Sequence, residues 1–547
     1  MSEETIPVPL ETELDAFFAQ YTAAEQARGL VYGLTTPEGL SHCAGFGVAN
    51  DDGLVPDADT VFPIASMSKS FVACAALVAR DQGRLSLNDP ITAYVPEFVV
   101  SGEAVGAEGP PTVGMLFSMC GGLTEDNSWV DPFIDLPTET LLGQVSKGVR
   151  LSRFPGAEFE YSNLGFALAG LAVSRAVGRP LEDFVRDALL VPLGLTSTYF
   201  DSAVPRDLPR AVGYSLDSSG AWMPFPPQAS DAFAAAGGIV STVRDLATWV
   251  TWLGSAFRPP RGDGAEILSR ASRRELQRVH IATPPALVVG ASGAIQVTMG
   301  GYALGLRVTT DLHRGTFISH AGGLPGFKLF MTWHPQSGNG AIVLTNSHRG
   351  DPISLCSEAL GRTMSRHQVA ASTVTLWPET VALRAQVEEL IRNWDDDLAA
   401  RALADNVDFD RPVPERRAEI GRLVAEVGPL LDTPPHLGIV SAATPADVTW
   451  SIPGQNGELL CMIHLTPVAP AQVQELVVKA FPAGCPRAAM PVDISPRRAQ
   501  LGDAFITPIT NVRVHLPSQE PAASLTDTDA EGGRAGVVTS GADAESR

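Results

Sequence analysis

The sequence predicts an α/β (α+β sandwich) fold, in which an antiparallel sheet is built from N- and C-terminal strands around an inserted helical region, followed by a smaller α+β domain. Three observations predict it. Strand-like runs open the chain and return after Gly300, helical periodicity dominates from Ser66 to about Leu253, and near Ala371 a new helix-then-strand pattern begins. At 547 residues the chain is too long for one ordinary domain. The expected division is a catalytic-sized domain over 1–370, an accessory domain over 371–516 and a disordered acidic tail over 517–547.

Each element follows in order. Leu10, Leu14, Phe17, Phe18 and Tyr21 recur at helical spacing and predict an opening amphipathic helix. "GLVYGLTTPEGLSHCAGFGVAN" reads as a hairpin around a Pro-Glu-Gly turn. "MSKSFVACAALVARDQG" is a strongly apolar helix with Gly83 as its stop. "STVRDLATWVTWL" carries a capping-box pattern, Thr242 with Asp245 three residues on. "YALGLRVTT", "GTFISHAGG", "GFKLFMTWHP" and "GAIVLTNS" are short β-rich runs separated by turn residues. Past the break, Leu383, Val387, Leu390, Ile391 and Trp394 share a helical face, and "ELLCMIHLTPVAPAQVQELVVKAF" reads as two antiparallel strands around a proline-containing turn. From Pro517 onward the text is too polar to offset its ordering entropy.

Charge and cysteine usage exclude some functions. With 61 acidic against 39 basic residues and a net charge of -22, the chain lacks the basic face that nucleic acid or an anionic membrane requires. "MSEETIPVPLETELDAFF" has neither a basic n-region nor an uninterrupted apolar stretch, so a cytoplasmic location is expected. Six scattered cysteines without a CxxC suit reduced, buried thiols better than disulfides or zinc.

Ser66 and Lys69 form the only S-x-x-K in a chain that holds four lysines. At that spacing on a helix both side chains share one face. A serine hydroxyl is a poor nucleophile until a neighbouring base takes its proton, and a lysine buried beside it can be tuned to that role. The bland alternative is a surface lysine on a solvated helix, but the flanking residues are apolar. Two further segments join it: Tyr161-Ser162-Asn163 in "FEYSNLGFALAGLAV" and His320-Ala321-Gly322 in "ISHAGGLPGFKLF".

In that order these segments resemble the S-x-x-K, Y-x-N and [KH]-[TSA]-G signatures of the serine β-lactamase and penicillin-binding-protein superfamily, and "GRLSLNDPITAYVPEF" and "AAGGIVSTVRDLATWV" resemble its class C-like branch. The resemblance implies that Ser66 forms an acyl-enzyme and that Lys69 and Tyr161 handle its proton, with the first acceptor left open. It implies that Asn163 bonds the substrate amide or the lysine, and that the N–H groups of Ser66 and Gly323 form the oxyanion hole. His320 stands where lactamases carry a carboxylate-binding lysine. The implied branch is therefore the one with esterases, D-aminopeptidases and penicillin-binding-protein-type peptide cyclases.

The expected activity is hydrolysis of an ester or amide, including one with a D-configured acyl residue, without metal or organic cofactor. Acyl transfer to an amine or alcohol, as in a peptide cyclase or transesterase, stays open, as does a silent binding protein of the same fold. The expected partner is a small-molecule or peptide ester or amide, and residues 371–516 are read as a structural domain that can cover the cleft or pair subunits in a homo-oligomer.

Three other features weigh less. Met119-Cys120 replace a His-Thr-like pair of the branch, which leaves the pocket wall in question, and Cys120 itself is read as packing because no base accompanies it. Asp395-Asp396-Asp397 is read as a solvated helical face rather than a metal site. No G-x-S-x-G, H-E-x-x-H or Walker loop is present.

Overall fold

The computed structural model describes residues 8–484, apart from 25, 103–108, 131–132, 206, 227–228, 260–265, 290–294, 312–313, 368–371 and 433–438, together with 497–501 and 504–505. The expected tail over 517–547 and Cys485 lie outside the described residues.

Helix α1 (Leu10–Ala23) precedes the hairpin β1 (Gly29–Thr36) and β2 (Gly39–Gly47). Three helices of the inserted region matter for the site: α2 (Ser68–Asp81), α3 (Asn163–Val177) and α4 (Val243–Gly254). Strands β3 (Ile281–Val289), β4 (Ile295–Tyr302), β5 (Arg307–Asp311), β6 (Gly315–Leu324), β7 (Phe327–Trp333) and β8 (Gly340–Thr345) then run as consecutive antiparallel neighbours. Helix α5 (Pro352–Arg366) follows. The sheet order is β3-β4-β5-β6-β7-β8-β1-β2, so the first hairpin joins the last strand by β1–β8 pairing, with Tyr32 opposite Val343.

Strand β1 is an inner strand next to the edge and buried on both faces, and its period of two sorts side chains into two cores. Leu30, Tyr32 and Leu34 face a cluster shared with Leu14 and Phe18 of α1 and with Leu355, Ala359 and Leu360 of α5. Val31, Leu329, Met331, Ile342 and Leu344 face the larger cluster that contains α2, α3 and α4. The sheet is thus sandwiched between helices.

Helix α2 threads the larger cluster, and every residue from Ser68 to Ala79 is buried. A helix that is apolar all round belongs in such a place. Phe71 stacks on Trp249 of α4 with ring centroids 4.0 Å apart. Thr242 caps α4 by accepting the Asp245 N–H at 3.2 Å, but the second half of the expected box is replaced: Asp245 accepts instead from Ser197 N and Thr198 Oγ1, both at 2.8 Å.

The run "YALGLRVTT" is not one strand. The chain reverses between Tyr302 and Arg307, where Gly305 takes φ +66 and packs so tightly on α2 that a Cβ would lie 2.5 Å from the Lys69 carbonyl oxygen. Only glycine meets both demands.

A separate apolar cluster draws on residues 376–476. It joins α6 (Pro378–Arg392) and α7 (Val413–Val427) to the antiparallel strands β9 (Ile439–Ser441), β10 (Asp447–Gly454), β11 (Gly457–Leu465) and β12 (Val473–Pro482). Asp395 caps a short helix through Leu398 N at 2.6 Å, and Asp396 accepts the Trp394 indole N–H, so this acidic run serves local capping.

Candidate active site

Ser66 lies in a 3₁₀ turn, Ala65–Met67, that feeds directly into α2. Ala65 takes φ +49, a left-handed conformation that costs a non-glycine residue about 1–2 kcal/mol. Its surroundings enforce the bend: Ile64 N–H bonds the Ile239 carbonyl at 2.9 Å, and Met67 N–H bonds the Ile64 carbonyl at 3.1 Å. Gly322 of β6 presses on the same turn, and a Cβ there would lie 2.4 Å from the Ile64 carbonyl oxygen. The bend leaves Ser66 half-buried at the mouth of the helix.

One turn on, Lys69 is fully buried. Its Nζ donates to Ser66 Oγ at 3.0 Å, to Asn163 Oδ1 at 2.7 Å and to the Ala236 carbonyl at 2.7 Å. The same nitrogen stands 5.0 Å from the Tyr161 ring centroid and 5.6 Å from that of Phe166. The Ala236 carbonyl comes from the short helix Ala234–Gly237.

Asn163 is the first residue of α3, and Ser162 caps that helix through Gly165 N at 3.1 Å. Its amide is oriented by Asp126 and Asn127, whose side-chain oxygens accept from Nδ2 at 3.2 and 2.8 Å. Asp126 also accepts Asn163 N–H at 2.7 Å, Leu164 N–H at 2.8 Å and the Ser162 hydroxyl at 2.9 Å. A carboxylate at a helix N-terminus is favourably placed. With Nδ2 so engaged, Asn163 turns its oxygen to Lys69.

His320, on β6, is 2 % exposed. Its Nδ1 lies 2.6 Å from the Ala321 carbonyl and its Nε2 lies 2.8 Å from Tyr302 Oη. A carbonyl only accepts, so Nδ1 carries the proton, and Tyr302 donates to Nε2. Burial, and after it the Lys69 charge, pushes His320 down to about 3, which keeps the ring neutral. Tyr302 is itself fully buried, and burial with the neighbouring Tyr161 raises its phenol well above the usual value. The Tyr161 ring centroid stands 6.2 Å from that of Tyr302 and 6.5 Å from that of His320.

Ser66 and Gly323 line one small cavity of about 30 Å³, together with Asn127, Asn163, Phe233 and Leu324. Gly323 is exposed there, with open space where a Cβ would be.

Met119 and Cys120 form part of the wall behind this site. Met119, at φ +58, receives the Ser162 N–H on its sulfur at 3.3 Å and the Glu160 N–H on its carbonyl at 2.8 Å, which fixes the loop that carries Tyr161. Cys120 is buried, and burial pushes its thiol up, away from the reactive thiolate. Among the described residues, five cysteines are free and no group of three or more His, Cys, Asp or Glu is placed to hold a metal ion. No described helix is long and apolar enough to cross a membrane.

The structure therefore brings Ser66, Lys69, Tyr161, Asn163, His320 and Gly323 into one neighbourhood. It adds Tyr302, Asp126, Asn127 and the Ala236 carbonyl, which sequence reading missed. A backbone carbonyl has no signature, and Asp126 precedes the Tyr161-Ser162-Asn163 segment by a loop spacing that marks nothing.

Comparison with solved structures places the fold. An octameric penicillin-binding protein homologue from Pyrococcus abyssi aligns with a TM-score of 0.56 at 21 % identity, over 83 % of this chain and 90 % of its own. EstCE1, a hydrolase with promiscuous acyltransferase activity, aligns with a TM-score of 0.52 at 20 % identity, over 64 % of this chain and 98 % of its own. By sequence, Protein flp of Staphylococcus aureus is 26 % identical over 310 residues, which is 55 % of this chain and 56 % of that protein, so the chain spans little more than half the relative's length. The uncharacterized protein MT1414 of Mycobacterium tuberculosis is 28 % identical over 322 residues, 54 % of this chain and 78 % of its own. The Beta-lactamase family model matches residues 14–354, well over half of the chain, so the protein belongs to the beta-lactamase family, within the serine β-lactamase and penicillin-binding-protein-like superfamily.

Proposed function

We propose that the chain is a serine hydrolase that acts on esters or amides through an acyl-enzyme at Ser66. The observation that carries this is the 3.0 Å bond between Lys69 Nζ and Ser66 Oγ, held in a buried cage by Asn163 and the Ala236 carbonyl. The Lys69–Tyr161 pair enters the step one proton short, at Nζ or at the phenol oxygen, and takes the Ser66 proton while Oγ forms a bond to the substrate carbonyl carbon and the carbonyl π pair moves to oxygen. The Ser66 and Gly323 N–H groups receive the developing oxyanion. The bond to the leaving group then breaks, and that group departs with the proton handed over by Tyr161. Water adds to the acyl carbon, releases the acid and restores the Ser66 hydroxyl.

The neutral, doubly engaged His320 supports neutral esters or amides over carboxylate-bearing lactams, because it offers no cation to the carboxylate. On this reading residues 371–516 form an accessory unit without chemistry of its own, and a second copy of the chain is its expected partner. Light scattering on the full chain tests that assembly.

The decisive experiment is a fluorophosphonate probe. It labels Ser66, and Ser66→Ala abolishes both labelling and turnover of p-nitrophenyl esters, with activity unchanged by EDTA or reducing agent. Labelling at Ser68 or Cys120, or turnover retained in Ser66→Ala, overturns the assignment.

A further inference from the structure

Beside the serine cavity opens a second, larger one of about 370 Å³, lined by Val61, Ile134, Phe225, Ile239, Leu324 and Phe327 among others. The two share Ile134, Gly237 and Leu324, so they adjoin. Asp201 and Arg210 are the charged side chains in the lining of the larger one, and the rest is mainly aliphatic, aromatic and proline.

Neither cavity is lined by Tyr161, Lys69 or His320. Lys69 reaches the edge of the smaller one only through its partners Asn163 and Ala236, and none of the three borders the larger one. In an acyl-enzyme the leaving group departs toward its proton donor, and the group that stays on the serine must point elsewhere. We infer that the larger cavity is the acyl pocket and that it selects an apolar, medium-chain acyl group. This rests on the acyl-Ser66 reading above and adds the substrate class.

Three points fix the class. The walls are mainly apolar, which rewards methylenes, and of the two charged side chains Arg210 is exposed while Asp201 accepts the Ser230 hydroxyl at 2.9 Å. At about 30 Å³ for a group the size of a water, the volume holds on the order of ten such groups. The strands that build it are fixed: Ile239 and Val240 belong to the short strand Ile239–Ser241, paired with Phe62–Pro63 immediately before Ser66, and Phe62 meets Phe327 edge to face at 6.4 Å. The pocket and the nucleophile are therefore parts of one rigid piece.

The test uses the full chain and p-nitrophenyl acetate, butanoate, hexanoate and octanoate. From acetate to octanoate kcat/KM rises by roughly 100-fold, less than the limit set by about fourfold per buried methylene. A parallel series of alkyl acetates, ethyl to octyl, stays flat within about threefold because the alcohol lies outside the pocket. Ala211→Phe, at a half-buried wall position, fills the pocket, and the octanoate-to-acetate ratio of kcat/KM falls to about one. If that variant does not fold, Phe225→Ala, which removes a wall, must reduce the octanoate-to-acetate ratio at least fivefold. A flat acyl series with Ser66 acylated in the mass spectrum overturns the pocket and leaves the nucleophile standing. A rise along the alcohol series also overturns it. Failure of every ester to acylate Ser66 sinks the underlying reading instead.

Discussion

Tyr302 donates its hydroxyl proton to His320 Nε2 across 2.8 Å, and the Ala321 carbonyl holds the ring's other nitrogen at 2.6 Å, so both nitrogens of His320 are engaged and the ring is fixed as the Nδ1–H tautomer. The histidine reaches the catalytic neighbourhood as a neutral, oriented group.

Tyr302→Phe removes that donor and leaves a buried acceptor without its partner. The expected stability loss is about 1–3 kcal/mol, read from the urea midpoint. Under the proposed mechanism ester kcat/KM falls by roughly tenfold, about 1.4 kcal/mol of transition-state stabilisation, while KM changes little. A variant with wild-type kinetics and only lowered stability assigns Tyr302 to packing alone.

Buried histidines also set an acid limit. Burial pushes His334 down to about 4, and His320 lies at about 3 for the cause given above. An unfolded histidine titrates near 6.5, so between that pH and about 3 to 4 the unfolded chain takes up protons that the native chain refuses. Native stability therefore falls as pH falls through this window, and these two groups contribute no pH dependence above it. At pH 5 the loss is about 2 kcal/mol per histidine. Urea midpoints at pH 7 and pH 5 measure it, and His334→Asn, whose Oδ1 can take the Ser337 N–H that Nδ1 now accepts at 3.2 Å, should shrink the difference by about 2 kcal/mol. Equal dependence in wild type and variant would rule His334 out as a source.

Much of this was legible in the sequence because it is local. The Pro-Glu-Gly turn of the first hairpin, the strongly apolar α2 and the three-residue spacing of Ser66 and Lys69 each need only a few neighbouring residues to declare themselves. What was hidden depends on distant pairing. Tyr302 pairs with Arg307 and Arg307 with Ser319, so Tyr302 meets His320 only once β4, β5 and β6 are in register. The hairpin at Gly305 was masked by continuous β-formers on both sides of it. Strand β3 carries Pro284 and Pro285, which argue against a strand, yet it is the sheet edge and shifts register between Thr283 and Ala286, where proline is tolerated.

The adjacent glycines of β6 should separate cleanly. At Gly322 a Cβ would meet the Ile64 carbonyl oxygen at 2.4 Å, a backbone atom that cannot move without shifting the Ser66 turn. Gly322→Ala should cost about 1–3 kcal/mol or more and suppress Ser66 labelling by fluorophosphonate. At Gly323 nothing lies within 4 Å, and Gly323→Ala should leave the melting temperature within about 1 °C. Equal effects at the two positions would refute the close-packing account of Gly322.

Asp126 gives the sharpest test of how the lysine cage is held. One oxygen of its carboxylate accepts from Asn163 N and Nδ2, and the other accepts from Leu164 N and the Ser162 hydroxyl, so both edges face donors. Asp126→Asn keeps the shape but turns one edge into an NH₂ group that faces N–H or O–H donors. The expected loss of stability is about 2–4 kcal/mol, since charge-assisted bonds at a helix N-terminus are lost and a donor is left buried against donors. The consequence for chemistry runs through Asn163: with the Asp126 bonds weakened its Nδ2 keeps only the Asn127 anchor, its Oδ1 is held less firmly 2.7 Å from Lys69 Nζ, and the nitrogen's position beside Ser66 loosens. Ester kcat/KM should fall at least tenfold through kcat, with slower but still Ser66-directed fluorophosphonate labelling. Asn127→Ala, which removes one of the two amide anchors and leaves the carboxylate in place, should show the same pattern more weakly. If Asp126→Asn lowers the melting temperature yet retains kcat within about twofold, the carboxylate supports the α3 terminus and does not position the lysine cage.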